Sequence, residues 1–190
     1  MVRLHRPEIP AGTLGRLLSG HYYLPICQNT QTSAQTGTGT LRLAPWVVPH
    51  AVTLSRIGGE VTTIGDVGSK YRLGVYADDG TCLPGALVLD AGQIAGDSAT
   101  VQELTIDLTL QPGVYWTGGV TQAVTTTQPT IRVTSTGWDG PFLLPLGSSA
   151  PTAGMTASGV LMTGVTGALP STFTYGASGS SAPRVHVKVA

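Results

Sequence analysis

Strict alternation of apolar and polar residues is the feature that most constrains this chain, and residues 101–110, "VQELTIDLTL", show it most clearly. Because successive side chains of a β-strand point to opposite faces, a period of two predicts a strand with one face against a core. We expect the apolar side chains to face that core and the polar ones to face solvent. The apolar set is Val101, Leu104, Ile106, Leu108 and Leu110, and the polar set is Glu103, Thr105, Asp107 and Thr109.

The same alternation recurs elsewhere along the chain. Residues 70–78, "KYRLGVYAD", predict a second strand with one buried face, and residues 41–63, 113–122, 129–135 and 183–190 predict further strands. Within residues 41–63, Pro45 and Pro49 mark breaks or an edge position. The buried set of the second strand is Tyr71, Leu73, Val75 and Ala77, and the opposite set is Arg72, Gly74 and Tyr76.

Turn signals separate these strands at intervals of about ten residues. The Asp-Asp-Gly sequence at 78–80 is typical of a hairpin turn, in which Asp accepts backbone hydrogen bonds and Gly supplies positive φ. Pro-Gly at 112–113 indicates another hairpin, and helical periodicity is absent after about Gly20. We therefore predict an all-β fold, a single antiparallel β-sandwich that is jelly-roll-like and carries a short N-terminal arm.

The chain divides into two regions. Residues 1–20 contain prolines and a short helical pattern at Thr13–Leu18, and we interpret them as an arm for attachment or oligomer contacts. Residues 21–190 form the β-sandwich domain. Within it, the polar residues 27–40 predict a loop or an extended surface segment. Residues 138–183 carry many apolar side chains among Gly and Ser, so we expect them to pack on the sandwich as loops with one or two short strands.

Charged side chains make up only 11% of the chain, and ten Lys and Arg residues balance ten Asp and Glu residues. A net charge of zero provides no field that attracts nucleic acid, so we expect no nucleic-acid partner. It also opposes self-association weakly, which favours an oligomeric subunit. No apolar run reaches the length of a membrane span, and residues 1–18 lack the apolar core of a secretion signal. We therefore expect no membrane insertion and no such signal.

Metal-binding motifs are not evident in the sequence. Cys27 and Cys82 are the only cysteines, and two thiols do not make a zinc site by themselves. Two small buried residues are the simplest interpretation, and the sequence leaves open whether they form a disulfide. The histidines show neither HExxH nor HxH spacing, so we expect no metal and no cofactor. They are His5, His21, His50 and His186.

Catalysis needs titratable groups that converge, and the sequence offers few. Serines in "GSSAP" at 147–151 lack the strand and helix of a nucleophile elbow. A calcium site at 78–80 would need further oxygen ligands that the sequence does not locate. Glu103 and Asp107 are interpreted as the solvated face of their strand. We therefore predict no catalytic residue and no enzymatic activity.

One aromatic position indicates binding. Trp138 and Asp139 lie in a polar, glycine-rich stretch, "STGWDGPF". An indole ring stacks on a sugar ring and a carboxylate accepts hydrogen bonds from its hydroxyls, so this pair is the predicted glycan contact. The competing interpretation, which we favour because large aromatic side chains are usually mostly buried, is that Trp138 plugs one end of the sandwich. Trp46 and Trp116 lie in predicted strands, and we expect both in the core.

Ordered phrases along residues 20–190 carry a family resemblance. They are "HYYLP", "LRLAPWVVPHAVTLSRIGGEVTT", "YRLGVYADDGTCLPGALVLDAG", "LTLQPGVYWTGGVTQ", "PLGSSAPTAG", "GVTGALPSTF" and "APRVHVKVA". In this order they resemble a β-sandwich module of the tail-fibre and minor tail proteins of tailed bacteriophages. Members of that family are virion structural proteins without catalytic residues to carry over.

The resemblance implies a non-enzymatic virion subunit, assembled in the host cytoplasm and exposed on the extracellular particle. Such appendages are commonly homotrimers, and residues 1–20 would then contact neighbouring subunits or other virion proteins. A host cell-surface glycan is the implied external partner. Three alternatives stay open: a capsid (head) decoration protein, a stand-alone carbohydrate-binding module, and a glycan-cleaving enzyme.

Overall fold

A computed structural model describes residues 17–24, 31–134 and 158–190. Most of the predicted arm lies outside these residues, as does Cys27, and of the predicted helical pattern only Leu17 and Leu18 are described, in a stretch without helix. The described residues form twelve β-strands, and no helix among them has the length and hydropathy of a membrane-crossing segment. The strands are β1 (Tyr22–Tyr23), β2 (Gln31–Ala34), β3 (Leu41–Val48), β4 (Val52–Thr63), β5 (Lys70–Asp78), β6 (Pro84–Ala95), β7 (Val101–Leu110), β8 (Gly113–Gln122), β9 (Thr130–Thr134), β10 (Gly159–Met162), β11 (Ala177–Gly179) and β12 (His186–Val189).

The strands form two sheets that pack face to face. The first sheet has the order β1-β12-β4-β9-β2, and β7 also pairs with β4. The second sheet has the order β11-β10-β3-β8-β5-β6. All pairs between named strands are antiparallel, and consecutive strands often change sheet, as in β3 to β4 and β4 to β5. The predicted all-β sandwich is therefore confirmed.

Three strands begin and end at the predicted residues: β5 at 70–78, β7 at 101–110 and β8 at 113–122. Val101 is an exception on β7, because it lies on the outward face and is 54% exposed. Val101 is two residues from Glu103 and therefore lies on the same solvent-facing side of β7, opposite to Leu104. The prediction that Val101 belongs to the buried set was wrong.

A β-bulge at Ser55 explains the irregular spacing of the buried residues of β4. Leu54 and Ile57 are both fully buried although three positions separate them, which strict alternation forbids. Against β12, Arg56 pairs with Lys188 and Leu54 pairs with the next residue, Val189, so Ser55 is an extra residue of β4. The extra residue restores the inward direction of Ile57, which is the usual effect of a bulge.

The main core lies between the two sheets. Tyr71, Leu73 and Val75 of β5 belong to the same buried cluster as Leu54 and Ile57 of β4. These side chains exclude water from the interior, and their burial is the main term that stabilises the sandwich. The other buried members are Trp46, Val48, Val52, Val61, Ile94, Leu110, Ile131, Val133, Val185, Val187 and Val189.

The second sheet is also covered on its outer side. Gly74 and Tyr76 of β5 are buried, so this strand has two buried faces and not the single one that its alternation predicts. Leu169 and Phe173 pack there in one apolar cluster with Tyr76 and Trp116. The loop that carries them, residues 163–176, is called the covering loop below. Its position, with β10 and β11 on either side, confirms that this part of residues 138–183 packs on the sandwich.

The hairpin turn between β5 and β6 has the predicted construction. Asp78 Oδ1 accepts a hydrogen bond from the Gly80 nitrogen at 2.8 Å, and Asp79 Oδ1 accepts one from the Thr81 nitrogen at 2.7 Å. Gly80 adopts a φ of 92°, a left-handed value that favours glycine. Cys82 follows, half-buried, and its thiol forms no disulfide within the described part of the chain.

Candidate functional site

The predicted glycan contact, Trp138 and Asp139, lies outside the described residues and stays a prediction. The described part of the chain instead brings together charged and aromatic side chains on the solvent-facing side of the first sheet. We call them the outer-face cluster. Its members are Tyr22, Glu60, Glu103, Arg132, Arg184 and His186.

One half of the outer-face cluster centres on Glu103 of β7. Its Oε1 lies 3.1 Å from His186 Nε2, and its Oε2 accepts a hydrogen bond from the Tyr22 hydroxyl at 3.2 Å. The Tyr22 ring meets the His186 ring edge-on, at 5.9 Å between centroids, and Lys188 Nζ lies 5.3 Å from the Tyr22 centroid. These contacts join β1, β12 and β7 across the face of β4.

Gly58 of β4 makes this arrangement possible. It pairs with His186 on one side and with Glu103 on the other. A Cβ at Gly58 would lie 2.4 Å from His186 Nε2 and 2.4 Å from the Gln102 carbonyl oxygen. The imidazole therefore occupies the space that a side chain on β4 would fill.

The pKa of His186 lies below its ordinary value. Burial of the ring is the main cause, and the hydrogen bond with Glu103, which acts in the opposite direction, offsets it only in part. The imidazole is therefore neutral at neutral pH. Because a carboxylate only accepts hydrogen bonds, Nε2 carries the proton and donates a hydrogen bond to Glu103.

The other half of the outer-face cluster centres on Glu60 of β4. Arg132 donates to both of its oxygens, from Nε at 3.1 Å and from Nη2 at 2.8 Å, and Arg184 Nη2 donates at 2.5 Å. The hydrogen bonds from Arg132 lower the pKa of Glu60, against the burial that raises it. Arg132 and Arg184 also reach Ser33 and Gln31, so these ion pairs link β4 to β9 and β2.

The outer-face cluster has the character of a strand-joining network. Its carboxylates are already bonded to an imidazole, a phenol or a guanidinium, which leaves them few free lone pairs for a substrate. Among the described residues, no group of three or more His, Cys, Asp or Glu side chains is placed to hold a metal ion. Glu103, predicted as a solvated residue, is bonded to His186, whereas Asp107 is exposed as predicted.

Other described carboxylates hold loops in place. Asp66 accepts three backbone hydrogen bonds from residues 125–127 at 2.7 to 2.9 Å, and these lower its pKa to about 2. Both oxygens of Asp90 accept hydrogen bonds from Arg72, at 2.8 and 2.9 Å. Asp90 also accepts one from the Leu169 backbone nitrogen at 3.0 Å. Sequence reasoning missed these roles, since an isolated Asp signals only a nearby turn.

Comparison of the chain with protein-family models, with curated proteins and with solved structures found no match. The fold therefore defines the class at the level of an antiparallel β-sandwich protein. Because sandwiches of this kind carry many unrelated functions, the function is argued from how the residues of this chain are used.

Proposed function

We propose that the chain is a non-enzymatic structural subunit of a tailed-bacteriophage virion, an oligomeric tail-fibre, minor tail or spike protein. The ordered phrases described above motivate the bacteriophage assignment. The observation that carries the structural role is that seven of the eight described Asp and Glu side chains are bonded within the chain, where they hold strands and loops together. A fold that uses its polar groups in this way suits a part that must persist and not react.

Seven described carboxylates accept hydrogen bonds from within the chain. Glycoside hydrolysis needs one carboxyl group as a proton donor and a second as a base or nucleophile, both facing a substrate. The bonded carboxylates face strands and loops of the chain itself, which supports a structural subunit over a glycan-cleaving enzyme. They belong to Glu60, Asp66, Asp78, Asp79, Asp90, Asp97 and Glu103.

The covered second sheet supports the same proposal. One face of the sheet packs on the first sheet and the other packs under the covering loop. Tyr76 is fully buried and its hydroxyl donates to the Pro170 carbonyl oxygen at 2.9 Å, which ties the loop to the sheet. A particle outside its host cannot replace an unfolded subunit, so slow unfolding of each subunit preserves the whole assembly.

The proposal places the protein on the extracellular particle after assembly in the host cytoplasm. Loops at one end of the sandwich would face the host, and Trp138 with Asp139 is the proposed contact for a surface glycan. Residues 1–20 would join the subunit to its neighbours or to other virion proteins. A capsid decoration protein uses the same properties at a different place on the particle.

Particle purification tests the proposal. Virions are banded on a density gradient, the chain is detected by mass spectrometry, and gold-labelled antibody locates it by electron microscopy. We expect the chain in the particle band with label on the tail, whereas label on the head would identify a decoration protein. Particles from a phage with the gene deleted are the control. A chain that stays outside the particle band contradicts the proposal, as does release of sugar products from host envelope polysaccharide by the pure protein.

A further inference from the structure

The outer edge of β7 has no partner strand among the described residues. β7 runs from Val101 to Leu110 and pairs only with β4 in that part of the chain. Its other edge therefore presents a row of backbone N–H and C=O groups over ten residues. Such an edge is a template for an added strand, which would gain main-chain hydrogen bonds along its length.

The core beside this edge is incompletely covered. Leu104, Ile106 and Leu108 point inward from β7, yet each is only half-buried. Val88 and Ala91 of β6, the edge strand of the other sheet, are half-buried as well. A strand added beside β7 with apolar side chains on its inner face would remove this apolar surface from water.

On its outward side, β7 itself carries two acidic side chains, and Arg56 of β4 lies beside them, bonded to Thr105. Glu103 and Asp107 lie on this face, with Thr105 between them. Two β7 edges paired antiparallel about Thr105 would place Glu103 of one copy opposite Asp107 of the other. Like charges directly opposite each other destabilise a sheet, so this edge disfavours its own copy in that register and favours a basic strand.

The segment Val2–His5, "VRLH", fits both sides of the edge. It belongs to the predicted arm, outside the described residues, and its residues alternate in character. Val2 and Leu4 share one side and match the uncovered core, while Arg3 and His5 share the other and match the acidic face. We propose that Val2–His5 of a neighbouring copy of this chain pairs with β7 as an added strand.

The position of Leu17 favours a neighbouring copy over the same chain. The Leu17 nitrogen donates a hydrogen bond to His50 Nε2 at 3.3 Å. His50 precedes Val52 by two residues, and Val52 pairs with Leu110, the last residue of β7. Leu17 therefore lies near the C-terminal end of β7. An arm leaving from this point along its own β7 would run parallel to that strand. All pairs of named strands in the described sheets are antiparallel, and antiparallel addition is available to the arm of a second copy.

Cysteine trapping between two different chains tests the inference. In a background with Cys27→Ser and Cys82→Ser, one chain carries His5→Cys. A second chain, enlarged by a tag, carries a cysteine at one of the five outward-facing positions of β7: Val101→Cys, Glu103→Cys, Thr105→Cys, Asp107→Cys or Thr109→Cys. The matched control is Thr174→Cys, which is exposed on the covering loop. The chains are mixed, oxidised mildly and separated on a non-reducing gel.

We expect at least one β7 position to give about tenfold more mixed disulfide dimer than Thr174→Cys, because only paired strands hold two Cβ atoms within bridging distance. Equal yields at β7 and at the control overturn the inference. So does a disulfide that forms only when His5→Cys and the β7 cysteine are in one chain. Thermal melting of each variant confirms that it is folded.

A charge exchange provides a second readout. Arg3→Glu is expected to raise the dissociation constant of the oligomer about fivefold, and adding Asp107→Arg is expected to restore it. Thr174→Arg is the control for an added charge. Equal dissociation constants for Arg3→Glu and the parent contradict the inference. The inference concerns only how copies of the chain join. Cysteine trapping can therefore fail for a chain that is incorporated into particles, and it can succeed for a chain that is not.

Discussion

At the scale of single residues, Gly58 and Gly59 differ in what surrounds them although they are adjacent on β4. A Cβ at Gly58 would meet His186 and the backbone of β7, whereas a Cβ at Gly59 would lie 3.7 Å from Ile94, an ordinary contact distance. The outer-face cluster therefore depends on glycine at one position only. The neighbouring glycine serves as an internal control.

We expect Gly58→Ala to lower the free energy of unfolding by about 2 kcal/mol, because the added methyl group must displace the His186 ring or separate β4 from β7. Gly59→Ala should change it by no more than about 0.5 kcal/mol. Urea unfolding followed by tryptophan fluorescence measures both. Equal effects of the two substitutions would show that the ring does not occupy the space beside Gly58.

His186 should make stability depend on pH in a defined direction. Its folded pKa lies below its ordinary value, so the unfolded chain binds the proton more strongly. The contribution of His186 to the free energy of unfolding is therefore complete at pH values above the unfolded pKa. It decreases as the pH falls from the unfolded pKa to the folded pKa. The slope for one such group is at most about 1.4 kcal/mol per pH unit.

The substitution His186→Gln removes this titration. Urea-unfolding midpoints at about pH 7.5 and about pH 5.5 should differ less in this variant than in the parent chain. Glu60 and Asp66 lose their contribution only at lower pH, because their folded pKa values are lowered below those of ordinary carboxyl groups. Identical differences in parent and variant would contradict the assignment.

At the scale of strands and loops, Asp90 connects β6 to both β5 and the covering loop. Its carboxylate binds Arg72 and accepts the Leu169 backbone nitrogen. Burial raises the pKa of Asp90, but the hydrogen bonds from Leu169 and Arg72 outweigh it, and the pKa lies below its ordinary value. Gly74 of β5 leaves room for the Leu169 side chain, since a Cβ at this position would lie 2.1 Å from Leu169 Cδ1.

We expect Asp90→Ala to destabilise the protein by about 2 kcal/mol, because it leaves the half-buried Arg72 unpaired and frees the Leu169 nitrogen. Hydrogen exchange of residues 165–173 should accelerate more than that of β4. Asp107→Ala, on an exposed carboxylate, should leave this exchange unchanged. Slow exchange of the covering loop in Asp90→Ala would show that apolar contacts alone hold it.

The strands could be predicted from the sequence to the extent that they alternate. β5, β7 and β8 were predicted with their ends because period two and turn residues are local signals. β2 was missed as a paired strand, since Gln31–Ala34 is polar and is exposed apart from Ala34. Its pairing with β9 is set by a strand about one hundred residues away, which a local pattern does not contain.

The outer-face cluster could not be predicted for a related reason. Parity indicates which face of a strand a side chain occupies, but not which residues of other strands lie beside it. Glu103 and His186 are 83 positions apart, and Glu60 and Arg132 are 72 apart. Their contact depends on the register of β12 and β9 on β4, including the bulge at Ser55.

At the scale of the whole molecule, the described core between the two sheets is built by strands of the domain, with Leu17 packed against it. The described contacts of residues 17–24 are with the domain, including Leu17 with His50 and β1 with β12. Removing residues 1–16 should therefore leave the free energy of unfolding of the domain nearly unchanged.

The same deletion should abolish incorporation into particles, because it removes the proposed joining segment. Complementing a gene-deleted phage with the truncated chain, then assaying purified particles, measures this. A matched variant with Arg3→Lys, which keeps the charge, should be incorporated normally. Normal incorporation of the truncated chain would contradict the proposed role of the arm.

The central claim is that this β-sandwich protein functions as a homo-oligomer. Its mass in solution tests that claim most directly. Light scattering of the purified full chain at several concentrations should give a constant mass of three times 19.5 kDa. The chain without residues 1–16 should have a lower mass at the same concentrations. A full chain that is monomeric at every concentration would contradict the claim.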